Sequence, residues 1–245
     1  MKIIKEHFLN YEDTYIFQDK ESFSYGLDAV LLANYVEIHN GAKILDLASG
    51  NIPIPLILHK KYGVKVDCLE KQKVSCDLAE KTIEVNGLDK YISVYNMDIR
   101  DVFDRFKPNY YNVITINPPY FEDDKNNLSL SKTMARHNID INLDEILTSV
   151  NYLLNNRGHF YMINRVENFF DIVEKLKNKN LIPKRVSFVY PNRNKKCKLF
   201  LVDCIKNGNL RGLVIDKPII IYEDNKNFSS KIIEMLGEKN DTKEF

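Results

Sequence analysis

From residue 43 onward, short apolar runs alternate with segments whose apolar residues follow the helical period. This alternation is typical of a mostly parallel β-sheet that is covered by helices on both faces. The predicted strands are the short apolar runs, and they cover residues 43–47, 64–70, 91–97, 111–116 and 158–163. The predicted helices have apolar residues at helical spacing, and they cover residues 56–62, 74–85, 143–154 and 166–178.

Two further apolar runs, 185–190 and 198–205, follow each other closely. Their connection is too short to contain a crossover helix, so these two strands must be antiparallel. The sequence therefore predicts an α/β fold with a seven-stranded sheet that is parallel except for one strand. Residues 1–40 are a preface of strand-like sequence and a helix that begins near Asp28, and no linker separates them from the sheet. We expect a single domain over residues 1–245.

The overall composition limits the possible partners. The chain has 35 Lys and Arg residues against 34 Asp and Glu, so attraction to a polyanion must come from a local patch. The four cysteines form no CxxC pair and have no histidines at zinc-like spacing, which predicts reduced thiols and no metal site. No run approaches the roughly 18 apolar residues of a membrane span. We expect a cytoplasmic protein without a membrane anchor, and the sequence indicates no obligate protein partner.

Ligands of open parallel sheets bind beyond the carboxyl ends of the strands. After the first predicted strand, the turn with Ala48, Gly50 and Asn51 allows backbone amides to approach a ligand. Glu70 ends the second strand roughly 20 residues later, the separation at which a carboxylate accepts from both hydroxyls of a ribose. The pattern predicts a cofactor that contains adenosine. The alternative is that Glu70 is only a solvated carboxylate at a strand end.

Asp98 follows the third predicted strand. There its carboxylate can accept from the exocyclic amine of the cofactor's adenine while Ile99 covers the face of the ring. An ordinary helix N-cap is the alternative for Asp98, because aspartate is a preferred N-cap residue.

The tetrapeptide Asn117-Pro118-Pro119-Tyr120 ends the fourth predicted strand. An amino group that is conjugated to a ring or carbonyl is a poor nucleophile because its lone pair is delocalised. The Asn117 side-chain oxygen and the Pro118 carbonyl can accept the two N–H bonds and aim the nitrogen at a methyl donor. Tyr120 offers a face on which a planar base can stack. We predict that all four residues are catalytic and that Asn117 also borders the cofactor; an ordinary turn is the alternative.

Several residues point to a nucleic-acid partner. Phe121 opens a long polar loop, Arg136 and His137 follow at its end, and both of these side chains could contact phosphates. A basic hairpin between the last two strands could do the same, although charged hairpin tips are usually only solvated. The predicted hairpin includes Lys184, Arg185, Arg193, Lys195, Lys196 and Lys198.

A series of motifs resembles the bacterial tRNA adenine-N6 methyltransferases that modify the anticodon-loop purine of a valine tRNA. These enzymes have the class I methyltransferase fold and use S-adenosylmethionine. The resemblance implies that Asp46, Gly50, Glu70 and Asp98 hold the cofactor, and that Asn117 and Tyr120 hold the adenine of the tRNA. The motifs occur in the family's order, as Phe23-Ser-Tyr-Gly-Leu-Asp-Ala, Asp46-Leu-Ala-Ser-Gly-Asn, Asn86-Gly-Leu, Asn117-Pro-Pro-Tyr-Phe and Ala135-Arg-His.

The chain departs from this family in the cofactor turn, where Ala48 and Ile52 replace two glycines. A β-branched residue strongly disfavours positive φ, so we expect a different turn geometry or a weaker cofactor site. Two other functions stay open. One is a protein glutamine methyltransferase, which uses the same Asn-Pro-Pro-Tyr chemistry but carries a sizeable helical domain before the sheet. The other is a non-catalytic RNA-binding protein on a degenerate methyltransferase fold.

Overall fold

The computed structural model describes residues 2–19, 25–118, 142–224 and 226–237. Its central sheet has five neighbouring parallel strands in the spatial order β5-β4-β3-β6-β7, followed by β9 and β8. These strands are β3 (Ile44–Leu47), β4 (Val66–Glu70), β5 (Ile92–Asn96), β6 (Tyr111–Ile116), β7 (Leu154–Arg165), β8 (Leu181–Tyr190) and β9 (Leu199–Lys206).

Strand β9 is antiparallel to both of its neighbours, β7 and β8. The prediction of a mostly parallel sheet with one antiparallel strand is therefore confirmed. The described part of the sheet also contains two short strands that the sequence did not predict, β10 (Val214–Ile215) and β11 (Ile219–Ile220). Both pair in parallel with β8. Runs of two residues are too short to show a period-two pattern.

The helices follow the predicted alternation with small differences at their ends. One predicted helix, 56–62, begins earlier, because Pro53 and Pro55 lie in its first turn, where amides have no partner within a helix. The helix predicted over 166–178 begins as the 3-10 turn Val166–Asn168. The α-helices are α1 (Leu27–Tyr35), α2 (Pro53–Tyr62), α3 (Lys73–Asn86), α4 (Val102–Arg105), α5 (Leu143–Leu153), α6 (Phe169–Asn178) and α7 (Ser230–Met235).

The sheet has a separate apolar core on each face. Leu32 of α1 and Ile57 of α2 are completely buried in one core, and Leu147 of α5 and Phe160 of β7 are completely buried in the other. Two-sided burial explains why the central strands are almost continuously apolar. No helix in the described ranges is long and apolar enough to cross a membrane.

The N-terminal preface is a β-hairpin of β1 (Ile3–His7) and β2 (Tyr15–Asp19), which forms its own two-stranded sheet. Side chains of α3 hold this hairpin. The Asn86 side chain accepts from the Tyr15 amide and donates to the Tyr15 carbonyl, at 2.9 and 2.7 Å. The Thr82 hydroxyl accepts from the Phe17 amide at 3.0 Å. These bonds attach the preface to the body of the fold, and the single domain over residues 1–245 stays a prediction.

Candidate functional site

The cofactor turn lies between β3 and α2 and has left-handed backbone at alternate residues. Ala48, Gly50 and Ile52 have φ angles of 52°, 55° and 66°. The replacement of glycines by Ala48 and Ile52 therefore does not abolish positive φ at these positions. Left-handed backbone costs a residue with a Cβ about 1–2 kcal/mol. Ile52 is completely buried in the apolar core, and burying such a side chain contributes about 1.5–3 kcal/mol, which offsets this cost.

Hydrogen bonds hold the turn against the neighbouring strand β4. The Ser49 amide donates to the Leu69 carbonyl at 3.2 Å, and the Gly50 amide donates to Glu70 Oε2 at 2.9 Å. Glu70 Oε1 accepts from the Gln72 amide at 2.7 Å. The Glu70 carboxylate, which is only 6% exposed, is thus fixed beside the turn, where the sequence predicts the ribose of the cofactor. Its ribose contact stays a prediction.

Asp46 lies on β3 and is completely buried. The Thr115 hydroxyl donates to its Oδ1 at 2.5 Å, whereas its Oδ2 is buried without a hydrogen-bond partner among the described residues. Burial raises the pKa of the Asp46 carboxyl to about 7. A buried carboxylate oxygen without a donor is costly, and a cationic ligand nearby would reduce that cost. This chemistry suits a methyl donor that is a sulfonium cation.

Asp98 has more partners than the sequence indicated. Its Oδ1 accepts from the Arg100 amide and from Arg100 Nε, both at 3.0 Å. Its Oδ2 accepts from Arg100 Nη2 at 2.8 Å and from Lys71 Nζ at 2.9 Å. The Arg100 guanidinium and Lys71 hold the pKa of the Asp98 carboxyl well below its usual range. Asp98 is the N-cap of a 3-10 turn, as the alternative reading proposed, and binding an adenine amine would require it to exchange one of these contacts.

Two further predicted cofactor residues are mainly enclosed in the protein. The Asn51 side chain is 1% exposed, and its Nδ2 donates to the Phe17 carbonyl at 2.9 Å, so it ties the cofactor turn to β2. Ile99 is 9% exposed and belongs to the core on the α5 face. Neither arrangement tests a cofactor contact, but each gives the residue a structural role that its place in the sequence did not show.

Asn117 is half-buried and directly follows β6, and Pro118 is buried. In the register of the sheet, Ile116 is paired with Leu47 of β3. The next residues of the two strands, Asn117 and Ala48, therefore leave the sheet side by side. The predicted catalytic asparagine at the end of the central strand β6 therefore lies beside the cofactor turn. The remaining predicted residues of this region, Pro119, Tyr120, Phe121, Arg136 and His137, lie outside the described residues.

Asn164 is a further polar residue near the carboxyl end of a central strand, and it was not predicted from the sequence. It lies on β7, two residues after Met162, which is paired with Ile116, and it is completely buried. Its Oδ1 accepts from the Arg165 amide at 2.8 Å, whereas its Nδ2 has no partner among the described residues. The available signal was a polar residue at the end of an apolar strand, the same signal that identified Asn117.

The predicted basic hairpin divides into two groups. Lys184 Nζ donates to the Asn209 and Arg211 carbonyls, and Arg185 contacts Glu37, so both side chains have structural partners. The exposed cations of the second group lie in the connection between β8 and β9. Because β9 is antiparallel to β7, this connection lies at the carboxyl edge of the sheet, together with the cofactor turn and Asn117. The second group contains Arg193, Lys195, Lys196 and Lys198.

Comparison with solved structures supports the fold. A predicted O-methyltransferase from Agrobacterium tumefaciens superimposes with a TM-score of 0.68 at 17% identity, over 86% of this chain and 95% of that one. The tRNA (uracil-54, C5)-methyltransferase of Pyrococcus abyssi superimposes with a TM-score of 0.56 at 15% identity, over 83% of this chain and 44% of that one.

Comparison of sequences supports the family. A Bacteroides fragilis protein named tRNA1(Val) (adenine(37)-N6)-methyltransferase is 27% identical over 160 residues, which are 65% of this chain and 68% of that protein. A Trichodesmium erythraeum protein of the same name is 27% identical over 77% of this chain and 80% of its own length. The family model described as the methyltransferase small domain matches residues 17–177. This match covers more than half of the chain, which therefore belongs to the methyltransferase small domain family, and its reaction is the S-adenosylmethionine-dependent methyl transfer predicted from its sequence.

Proposed function

We propose that this methyltransferase modifies the N6 amino group of an adenine in tRNA, within the anticodon loop. The observation that carries the proposal is the register of β3 and β6, which brings Asn117 next to the cofactor turn at Ala48. A catalytic asparagine is useful only where the acceptor nitrogen and the methyl donor meet. The names of the similar Bacteroides and Trichodesmium proteins support adenine N6 of a valine tRNA as the acceptor.

S-adenosylmethionine supplies an electrophilic methyl group, and the chain supplies the geometry for its transfer. The Asn117 side-chain oxygen and the Pro118 carbonyl accept the two N–H bonds of the adenine amine and localise its lone pair on nitrogen. A nitrogen held in this way would accept the methyl group, and the cofactor would leave as S-adenosylhomocysteine. The methylated amine is then cationic and acidic, so it loses one proton to water without a dedicated base.

The charge distribution supports RNA as the substrate. The chain has a net charge of only +1, yet Arg193, Lys195, Lys196 and Lys198 are grouped in the β8–β9 connection. That connection is at the carboxyl edge, where Asn117 also lies. Phosphate contacts from such a group would position an RNA over the catalytic residue without reading its sequence.

The experiment is mass spectrometry of nucleosides from tRNA that has been incubated with the protein and S-adenosylmethionine. We expect N6-methyladenosine in the anticodon loop. Asn117→Ala should reduce methyl transfer about a hundredfold or more, because removing a positioned acceptor costs that much, while cofactor affinity stays nearly unchanged. Asn112→Ala is a matched control, because Asn112 lies on the same strand β6 near its amino end, where its side chain accepts from the Lys43 amide.

Three outcomes would overturn the proposal. Retained transfer by Asn117→Ala would refute the mechanism. Methylation of a glutamine in a protein substrate, with none in tRNA, would favour the glutamine methyltransferase instead. Failure of calorimetry to detect S-adenosylmethionine binding at millimolar concentration, with RNA binding intact, would leave a non-catalytic RNA-binding protein.

A further inference from the structure

Phe170 is an aromatic side chain that the fold does not use for packing. Phe170 is 85% exposed, which is the highest exposed fraction among the large hydrophobic residues of the described ranges. It lies in the first turn of α6, shortly after β7 ends at Arg165. Because β7 is parallel to β6, the start of α6 is at the same edge of the sheet as Asn117. The aromatic face of Phe170 is therefore open to a ligand on the side of the sheet where Asn117 lies.

The residue next to Phe170, Phe169, belongs to a cluster of aromatic rings. The Phe170 ring meets the ring of Phe169 edge to face at 5.6 Å. Phe169 in turn packs against Phe188 of β8 and Phe200 of β9, with ring centroids 5.5 and 5.0 Å apart. Phe169 therefore anchors the first turn of α6 to the two strands that flank the basic connection. A ring presented on such a support loses little conformational entropy when a ligand binds to it.

The basic connection is directly attached to this part of the chain. The amide of Val166, which precedes α6, donates to the Lys198 carbonyl at 3.0 Å. Lys195, Lys196 and Lys198 are exposed, and none of them forms an ion pair with a described residue. An exposed ring next to unpaired cations is the combination with which proteins bind unpaired nucleotides, by stacking a base and contacting its phosphates.

The acidic residues near Phe170 do not neutralise the positive charge of the β8–β9 connection. Glu167 is paired with Arg165 at 3.3 Å, and Asp171 is paired with Lys175 at 3.1 Å. Glu174 lies one helical turn further along α6, which runs away from the carboxyl edge.

We propose that Phe170 is a stacking platform for an unpaired base of the RNA substrate, next to the base that enters the catalytic site, with the β8–β9 connection holding the phosphates. This inference rests on the proposed function for the class of substrate. It assigns to α6 a role in RNA recognition that no sequence motif indicated.

The test is the affinity for a short RNA stem–loop that carries the fluorescent base 2-aminopurine in its loop. Stacking on an aromatic ring contributes about 1–3 kcal/mol per base, so Phe170→Ala should weaken binding about 5- to 150-fold and abolish quenching of the probe. Phe170→Trp should retain both. Phe170→Leu keeps an apolar side chain without a stacking face and should resemble Phe170→Ala. Leu210→Ala is the control, because Leu210 is 74% exposed and lies outside this edge.

The outcomes separate this inference from the proposed function. If the wild-type protein binds the stem–loop through Phe170 but forms no N6-methyladenosine, the platform stands and the proposed function fails. If it methylates tRNA and Phe170→Ala leaves the affinity and the KM for tRNA unchanged, the platform is refuted. Equal RNA binding by Phe170→Leu and the wild type would also refute it, because the contact with RNA would then need no stacking face.

Discussion

Restoring glycine at the two left-handed positions of the cofactor turn should have opposite effects on stability. Ala48 is exposed and has a φ of 52°. Ala48→Gly removes a left-handed cost of about 1–2 kcal/mol, and the greater entropy of the unfolded chain opposes this gain by about 0.4–1 kcal/mol. The free energy of unfolding should therefore rise by about 0–1.6 kcal/mol, with a central value of about 0.8 kcal/mol. In most other exposed positions the same substitution lowers stability.

Variants of Ile52 measure the cost of left-handed backbone in this turn independently. Ile52→Ala removes a completely buried side chain and should cost about 2–5 kcal/mol. Ile52→Gly removes the same side chain but also relieves the backbone, whose φ is 66°. Ile52→Gly should therefore be more stable than Ile52→Ala by about the amount that Ala48→Gly gains.

The assay is urea-induced unfolding followed by circular dichroism, since the chain contains no tryptophan. The same variants should be titrated with S-adenosylmethionine in a calorimeter. The reasoning is refuted if Ala48→Gly lowers the free energy of unfolding, or if Ile52→Gly is less stable than Ile52→Ala. In either case the left-handed residues of the turn would not be strained.

Two further predictions concern charge. Burial raises the pKa of the Asp46 carboxyl from its ordinary value of about 3.8 to about 7, so the native state binds more protons than the unfolded state between these values. The free energy of unfolding should fall as the pH rises through this window, and Asp46→Asn, followed by urea unfolding at several pH values, should remove that fall. Replacing both Lys195 and Lys196 with alanine should lower the slope of log affinity for RNA against log salt concentration by about two. The same change at Lys60 and Lys65, near the amino edge, should leave this slope unaltered. Equal slopes for the two double variants would contradict a phosphate contact.

Apolar periodicity predicted the fold well because the central strands are buried on both faces. Strand β6 was predicted with its observed ends, since Ile116 is followed by an asparagine and two prolines that stop pairing. Strand β7 instead begins at Leu154, four residues before the predicted start at Gly158, because α5 passes into it without a loop. Sequence periodicity cannot locate such a boundary, where one residue ends a helix and the next begins a strand.

The site was predicted less completely, because residue type does not reveal which partner satisfies a side chain. The sequence predicts that Arg185 belongs to a basic hairpin, but Arg185 contacts Glu37 and donates to the Tyr35 carbonyl at 2.6 Å. Asp98 has the position of an adenine-binding residue, yet Arg100 and Lys71 already hold its oxygens. Phenylalanine is a typical core residue, and only the exposure of Phe170 in the folded chain distinguishes it from Phe169.

The single antiparallel strand explains how these features reach one edge of the sheet. In a parallel sheet, each strand end is followed by a helix that returns to the opposite edge, so the chain leaves the site after a few residues. Strand β8 runs in the same direction as β7 and ends at the carboxyl edge. Because β9 runs in the opposite direction, a short connection joins β8 to β9 at that edge. That connection needs no helix, so its side chains are free to be basic and exposed. The strand that departs from the parallel pattern is thus the one that can supply a phosphate-binding loop beside Asn117.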